Sequence, residues 1–279
     1  MNSENKAGLQ INYWFLMATA GLMLIAGAVA LVFFLRTNFL ANKKIAEAAE
    51  ASRPANLDLI VITDKSCSDC FNVYPLLDQI GSQNVRVGVK REVDRENDEG
   101  KELIKKFTIT RLPTFLVSGE LNKEQKLADF FAQAGETIDG TFVFRQGRPP
   151  YMEVASGNIK GRINFDLIVD SSCTSCYDVT RHEDILQQFG ITTRGTVIDA
   201  KSIAGKKLIN KYGIKLLPTF VLSGEVGEYP ALKPVWEQVG DIASDGTYIF
   251  TKGVPLMGTY KNLSTNKIIT PPAPTSTQQ

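Results

Sequence analysis

The chain has 279 residues, 43% of them hydrophobic, with 31 basic and 30 acidic side chains and a single histidine. A net charge of +1 provides no field to draw it to a phosphate backbone, so nucleic acid is not expected as a partner. The length allows about two domains, the apolar share lets each bury a core, and no Gly-rich phosphate loop or block of like charge points to nucleotide chemistry.

Residues 1–10 form a short N-terminal tail, and Ile11 to Leu35 then runs 25 residues without a charge. As a helix that run is long enough to cross a hydrocarbon core of about 30 Å. Tyr13 and Trp14 stand where an interfacial aromatic would. A cleaved signal peptide is the alternative, but the run exceeds a normal h-region and no A-x-A site follows it. The reading is therefore a single-pass membrane protein whose residues 11–35 meet the lipid bilayer. Lys6 precedes the span, and Arg36, Lys43 and Lys44 follow it, which by the positive-inside rule places the C-terminal part in the cytoplasm. Paired cysteines argue for an oxidising compartment instead, and long domains are translocated despite unfavourable flanks. We take residues 57–263 to be extracytoplasmic. Residues 36–55 read as a helical stalk, because Leu40 to Glu50 is built from good helix formers and Arg53-Pro54 stops them.

An apolar run from Leu57 to Ile62 leads into Asp64-Lys65-Ser66-Cys67-Ser68-Asp69-Cys70, and Leu167 to Val169 leads into Asp170-Ser171-Ser172-Cys173-Thr174-Ser175-Cys176. These are the only four cysteines. A C-x-x-C at a strand-to-helix turn reads as a redox pair, since the thiolate is the reactive species and a helix N-terminus favours negative charge. The surroundings recur too. Gly100 to Leu121 matches Gly205 to Val226 with 13 of 22 positions identical, and Asp139-Gly140-Thr141 returns as Asp245-Gly246-Thr247. Such an ordered match is a duplication, with domains expected at 56–158 and 159–263 and a disordered Pro/Thr/Ser/Gln tail at 264–279.

Each copy predicts the same elements. A helix is expected from Cys67 to Ser82 and from Cys173 to Phe189. A β-branched strand follows, Val85 to Val93 or Ile191 to Ile198, ending in Asp94 or Asp199. A second helix covers Gly100 to Phe107 or Gly205 to Tyr212, and Leu-Pro-Thr-Phe and another strand come next. An apolar-spaced segment (Leu127 to Ala134, Leu232 to Val239) and a last strand (Thr141 to Phe144, Thr247 to Phe250) complete the copy. Strands alternating with short helices make an α/β domain.

Lys211-Tyr212-Gly213-Ile214-Lys215-Leu216-Leu217-Pro218-Thr219-Phe220 resembles the thioredoxin segment that ends in an aliphatic residue, a cis-proline and a threonine. Asp199 resembles the acid closing the second strand there, and Pro75 the helix-kinking proline. The resemblance covers about residues 56–150 and 163–256. It implies an α/β architecture of two tandem thioredoxin-like domains, each a central mixed sheet flanked by helices, after the transmembrane helix. It also implies that Pro113, after Leu112, faces Cys67 and Cys70, and that Pro218, after Leu217, faces Cys173 and Cys176, as a groove for a substrate strand. Spacing alone would leave both prolines trans. The chain departs from the family in having Ser66 and Ser172 before the first cysteine and Ser68-Asp69 and Thr174-Ser175 between the cysteines. It also has Val61 and Leu167 where a buried acid is usual, and Arg181 where copy one has Pro75.

The expected function is thiol–disulfide exchange with client proteins bearing thiols or disulfides, with Cys67 and Cys173 attacking, Cys70 and Cys176 resolving, and a separate redox partner recycling the pairs. It needs neither cofactor nor metal. The alternative is a non-catalytic binding or scaffold module with structural disulfides, although an i, i+3 bridge closes too small a loop to stabilise much. A four-thiolate zinc site is disfavoured, because 102 residues separate Cys70 from Cys173 where 15–20 are usual; copper handling by one pair is disfavoured likewise. His182, about 180° round a helix from Cys173, is expected to face solvent rather than act as a base. Asp64 and Asp170 read as helix caps or turn formers. Asp69 places a like charge beside the Cys67 thiolate, so Cys173–Cys176 is expected to be the more oxidising pair.

Overall fold

The computed structural model describes residues 13–272, with side chains from residue 16 onward. Residues 1–12, the side chains of Tyr13 and Trp14, and residues 273–279 lie outside that description. Helix α1 runs unbroken from Tyr13 to Ser52. Between Leu16 and Ser52 it contains an 18-residue stretch of mean hydropathy 2.4, none of it buried, so by length and composition it can cross a membrane, as a signal sequence near an N-terminus also can. Pro54 cannot continue it.

From Ala55 onward the chain is one compact unit. Copy one comprises β1 (Ala55–Thr63), α2 (Tyr74–Gly81), β2 (Val85–Asp94), α3 (Asp98–Lys106), β3 (Arg111–Leu112), β4 (Thr114–Gly119), α4 (Gln125–Ala134), β5 (Gly135–Ile138), β6 (Thr141–Phe144), β7 (Tyr151–Glu153) and β8 (Asn158–Lys160). Copy two repeats it with β9 (Ile163–Val169), α5 (Arg181–Gln187), β10 (Thr196–Asp199), α6 (Ile203–Tyr212), β11 (Leu216–Leu217) and β12 (Thr219–Gly224). It ends with α7 (Leu232–Val239), β13 (Gly240–Ile242), β14 (Tyr248–Phe250), α8 (Val254–Met257), β15 (Tyr260–Asn262) and β16 (Lys267–Ile269).

Each copy builds a five-stranded mixed sheet, β2-β1-β4-β6-β5 and β10-β9-β12-β14-β13. The first pair is parallel and the others antiparallel. With helices on both faces each copy is a mixed α/β sheet flanked by helices, the architecture that the resemblance implies. The period of two explains the layers. Leu57, Leu59 and Val61 point to one face and pack with Leu77, Leu127 and Phe131 of α2 and α4, while Ile62 points to the other, with Phe107, Leu116 and Met152. Copy two does the same: Phe165 and Leu167 meet Leu186 and Trp236 on one face, and Ile168 meets Ile214 and Leu217 on the other. Each fully buried Leu or Ile contributes roughly 1.5–3 kcal/mol.

The duplication extends to close contacts. A Cβ on Gly100 would lie 2.2 Å from the Asp94 carbonyl oxygen, and one on Gly205 2.1 Å from that of Asp199. The second helix of each copy therefore rests its backbone directly on the end of the second strand. Gly205→Ala is expected to destabilise the chain by about 2 kcal/mol, the usual order for overpacking into backbone. Urea midpoints of the wild-type and variant chains would show it, and an unchanged midpoint would mean that the helix shifts freely.

Several expectations need correction. The helices after the cysteines start at Tyr74 and Arg181, not at Cys67 and Cys173. Asn72 and Asp178 take the turn before each helix: Asn72 Oδ1 accepts the Tyr74 amide at 3.0 Å, and Asp178 Oδ1 accepts that of Thr180 at 2.9 Å. The expected strand from Ile191 is ordered as β10 only from Thr196, because Glu183 accepts the Gly195 amide at 2.9 Å and holds the approach in a loop. The junction expected at 158/159 falls inside β8, which pairs with β7 and sends Ile159 against the core of copy one, so copy one ends at Gly161. The expected tail from residue 264 is in part structured, since β16 pairs with β15 through Tyr260↔Ile269.

Candidate functional site

Both cysteine pairs sit in the turn leaving the first strand of their copy. In copy one Asp64 Oδ1 accepts the Ser66 amide at 2.7 Å and the Asp64 carbonyl accepts that of Cys67 at 3.1 Å. In copy two Asp170 does the same for Ser172 and Cys173, each at 2.9 Å. These aspartates are turn formers, and each is tied to a cation: Asp64 to Arg95 at 2.6 Å, Asp170 to Lys261 at 2.6 Å and Lys201 at 3.6 Å. Burial pushes the Asp170 carboxyl up, yet hydrogen bonds from Lys261 and Ser172 hold it well below the usual carboxylate range.

The acid ending the second strand buttresses this turn. Asp94 accepts the Lys65 amide on one oxygen (3.3 Å) and the Glu96 amide on the other (2.9 Å). Asp199 accepts those of Ser171 (3.0 Å) and Lys201 (2.7 Å). From the far side, the Pro150 carbonyl accepts the Phe71 amide at 2.7 Å and the Thr259 carbonyl accepts the Tyr177 amide at 2.8 Å.

Cys67–Cys70 and Cys173–Cys176 are both closed as disulfides, with Cα separations of 5.3 and 5.5 Å. Each sulfur is thus bonded within its own copy. The Leu112–Pro113 and Leu217–Pro218 peptides are cis. A cleft of about 340 Å³ opens between Cys67, Cys70, Pro113 and Tyr74. Tyr74 donates to Glu92, and that hydrogen bond pushes its hydroxyl up to about 12. In copy two the Leu217 carbonyl oxygen lies 3.9 Å from Cys176 Sγ. Cys67, Cys70 and Pro113 thus line one cleft in copy one, and in copy two the Leu217 carbonyl approaches Cys176 while that of Pro218 is held by Tyr177. The two cysteines of each pair differ in cover: Cys67 is 9% and Cys173 8% exposed, whereas Cys70 and Cys176 are half-buried.

Three side chains here are misplaced by the sequence reading or absent from it. His182 is 2% exposed, against the expectation that it faces solvent. Its helix begins only at Arg181, so counting turns from Cys173 used the wrong frame. It lies 3.4 Å from the Tyr177 hydroxyl, which donates to the Pro218 carbonyl at 2.9 Å, and burial lowers the imidazole to about 4. Laying the repeats over each other would have shown the oddity: Phe71 and Leu76 occupy the same places in copy one. The third is Arg162 at the repeat junction. Its guanidinium holds Asp69 with two hydrogen bonds, Nε–Oδ2 at 2.9 Å and an Nη–Oδ1 contact at 2.7 Å, and this keeps the Asp69 carboxyl below its ordinary value. The expected free negative charge between Cys67 and Cys70 is therefore a paired one, which removes the ground for ranking Cys173–Cys176 as more oxidising.

No protein-family model matches the chain, and neither does any curated protein. Among solved structures, a protein disulfide oxidoreductase from Aeropyrum pernix k1 is 16% identical, with a TM-score of 0.19 over 62% of this chain and 78% of its own. Human ERp44 form II is 13% identical, with a TM-score of 0.16 over 63% of this chain, which spans about half of that protein's length, 47%. Superpositions this loose transfer no role, and the class rests on the strand order described above.

Proposed function

We propose that the chain exchanges disulfides with client proteins at Cys67–Cys70 and Cys173–Cys176, held at a membrane by residues 11–35 with residues 57–263 outside the cytoplasm. The observation that carries the reading is the cleft between the Cys67–Cys70 bond and the Pro113 loop. In the oxidising direction a client thiolate attacks one sulfur of the pair, the S–S bond breaks, and the other sulfur leaves as a thiolate. A second client thiolate then attacks the mixed disulfide, so the client gains a disulfide and the pair two electrons. A redox partner of the same chemistry removes those electrons, and reduction of clients is the same sequence reversed. The cover on Cys67 and Cys173 favours a second reading, in which the bridges are structural.

Single serine variants of the full-length chain in detergent separate the two. Cys70→Ser and Cys176→Ser should accumulate mixed disulfides with a disulfide-bonded client, because the attacking sulfur remains, opens the client's S–S bond, and the resolving sulfur is gone. Trapping by Cys67→Ser and Cys173→Ser instead would reverse the roles within each pair. The proposal falls if no variant traps a client and wild type shows no turnover.

A further inference from the structure

The Asp69 carboxylate lies 3.7 Å through Oδ1 from Cys67 Sγ, and Arg162 grips both of its oxygens. Arg162 belongs to the junction that enters copy two, directly before β9. That junction is held by copy two. The Glu225 amide donates to the Arg162 carbonyl at 3.0 Å, the Glu225 carboxylate accepts the Gly161 amide at 2.7 Å, and the Tyr229 hydroxyl donates to the Gly161 carbonyl at 2.8 Å. In copy two the places of Ser68 and Asp69 are taken by Thr174 and Ser175, so no carboxylate stands there.

We propose that Arg162 is a positioning residue that sets the redox balance of Cys67–Cys70 through Asp69, so that the second repeat tunes the first site. The inference rests on the exchange reading above. Reduction of this pair by two glutathione molecules gives oxidised glutathione, the Cys67 thiolate, the Cys70 thiol and one proton. The thiolate then stands beside Asp69, where a bare carboxylate would repel it. The bidentate guanidinium offsets that repulsion, as a planar fork does better than a point charge. The other charges on the turn are Lys65 and Asp64, the latter already paired with Arg95. Linkage is reciprocal. If Arg162 stabilises the thiolate, formation of the thiolate tightens the Asp69–Arg162 contact and with it the seam between the repeats. Both side chains are about half exposed, 53% and 47%, so the effect is bounded by solvent screening.

The test uses the full-length chain with Cys173 and Cys176 changed to serine, equilibrated with glutathione buffers, and reads two quantities: the oxidation equilibrium constant and the Cys67 thiol pKa. Arg162→Gln should stabilise the disulfide about threefold, or ~14 mV at 29.6 mV per tenfold, and raise the thiol pKa. Arg162→Lys should retain part of the wild-type value. In an Asp69→Asn background the Arg162→Gln shift should fall below half its size, because the residue it acts through is gone. Equal shifts in both backgrounds, or no shift with Arg162→Gln, would overturn the proposal. Neither readout involves a client, so absent client turnover would sink the functional reading alone.

Discussion

Serine at Cys67 and Cys173 together should reduce turnover of a disulfide-bonded peptide by glutathione to the uncatalysed rate. Each single variant should keep the share of the other site. The double variant loses both bridges, but a four-residue loop contributes only about 2 kcal/mol by loop-entropy arithmetic. Each sheet retains its own buried clusters, Phe115 and Phe142 in copy one, Phe220 and Trp236 in copy two. A folded, inactive chain is thus the expected product, checked by turnover alongside a urea melt. Turnover surviving in a folded double variant would take the chemistry away from these sulfurs.

Acid should destabilise the second repeat through His182. Its imidazole titrates near 4 when folded, against 6.5 as the ordinary value, so the unfolded chain binds more protons between those limits. Unfolding free energy therefore rises with pH across that window and is level above it. A shift of this size corresponds to about 3 kcal/mol lost by the time the pH reaches 4. Asp170 acts in a different window: its lowered carboxyl adds stability that is lost only as the pH falls below about 4. His182→Leu places the copy-one residue, Leu76, in the same position. It should flatten the slope between pH 6.5 and 4 and leave the more acidic limb in place. Chemical denaturation at a series of pH values decides it, and an unaltered slope in the variant would assign the acid sensitivity elsewhere.

What the sequence made legible was whatever repeats or alternates. The duplication was visible in 13 identities over 22 positions, and the strands followed from runs such as Leu57 to Ile62, whose alternate residues do face opposite cores. The cis bonds before Pro113 and Pro218 were legible only through family resemblance, because nothing local to Leu112 or Leu217 demands one. What failed was anything set by a neighbour distant in sequence. Arg162 lies 93 residues from Asp69, and no spacing rule links them. Counting helical turns from Cys173 puts His182 in solvent, whereas the Asp178 turn delays the helix to Arg181 and turns His182 inward. The strand at Lys267 hides in a polar stretch, since what orders it is pairing with β15 rather than its own composition.

The two cysteine turns are clamped from different places in the fold. In copy two, β15 follows Thr259, whose carbonyl holds the Tyr177 amide, and carries Lys261, whose ammonium holds Asp170. Among the described residues, β16 pairs with β15 on the side away from β11. Breaking the Lys261–Asp170 contact would therefore loosen the turn carrying Cys173, while the turn carrying Cys67, whose Asp64 is held by Arg95 beside the end of β2, would keep its clamp.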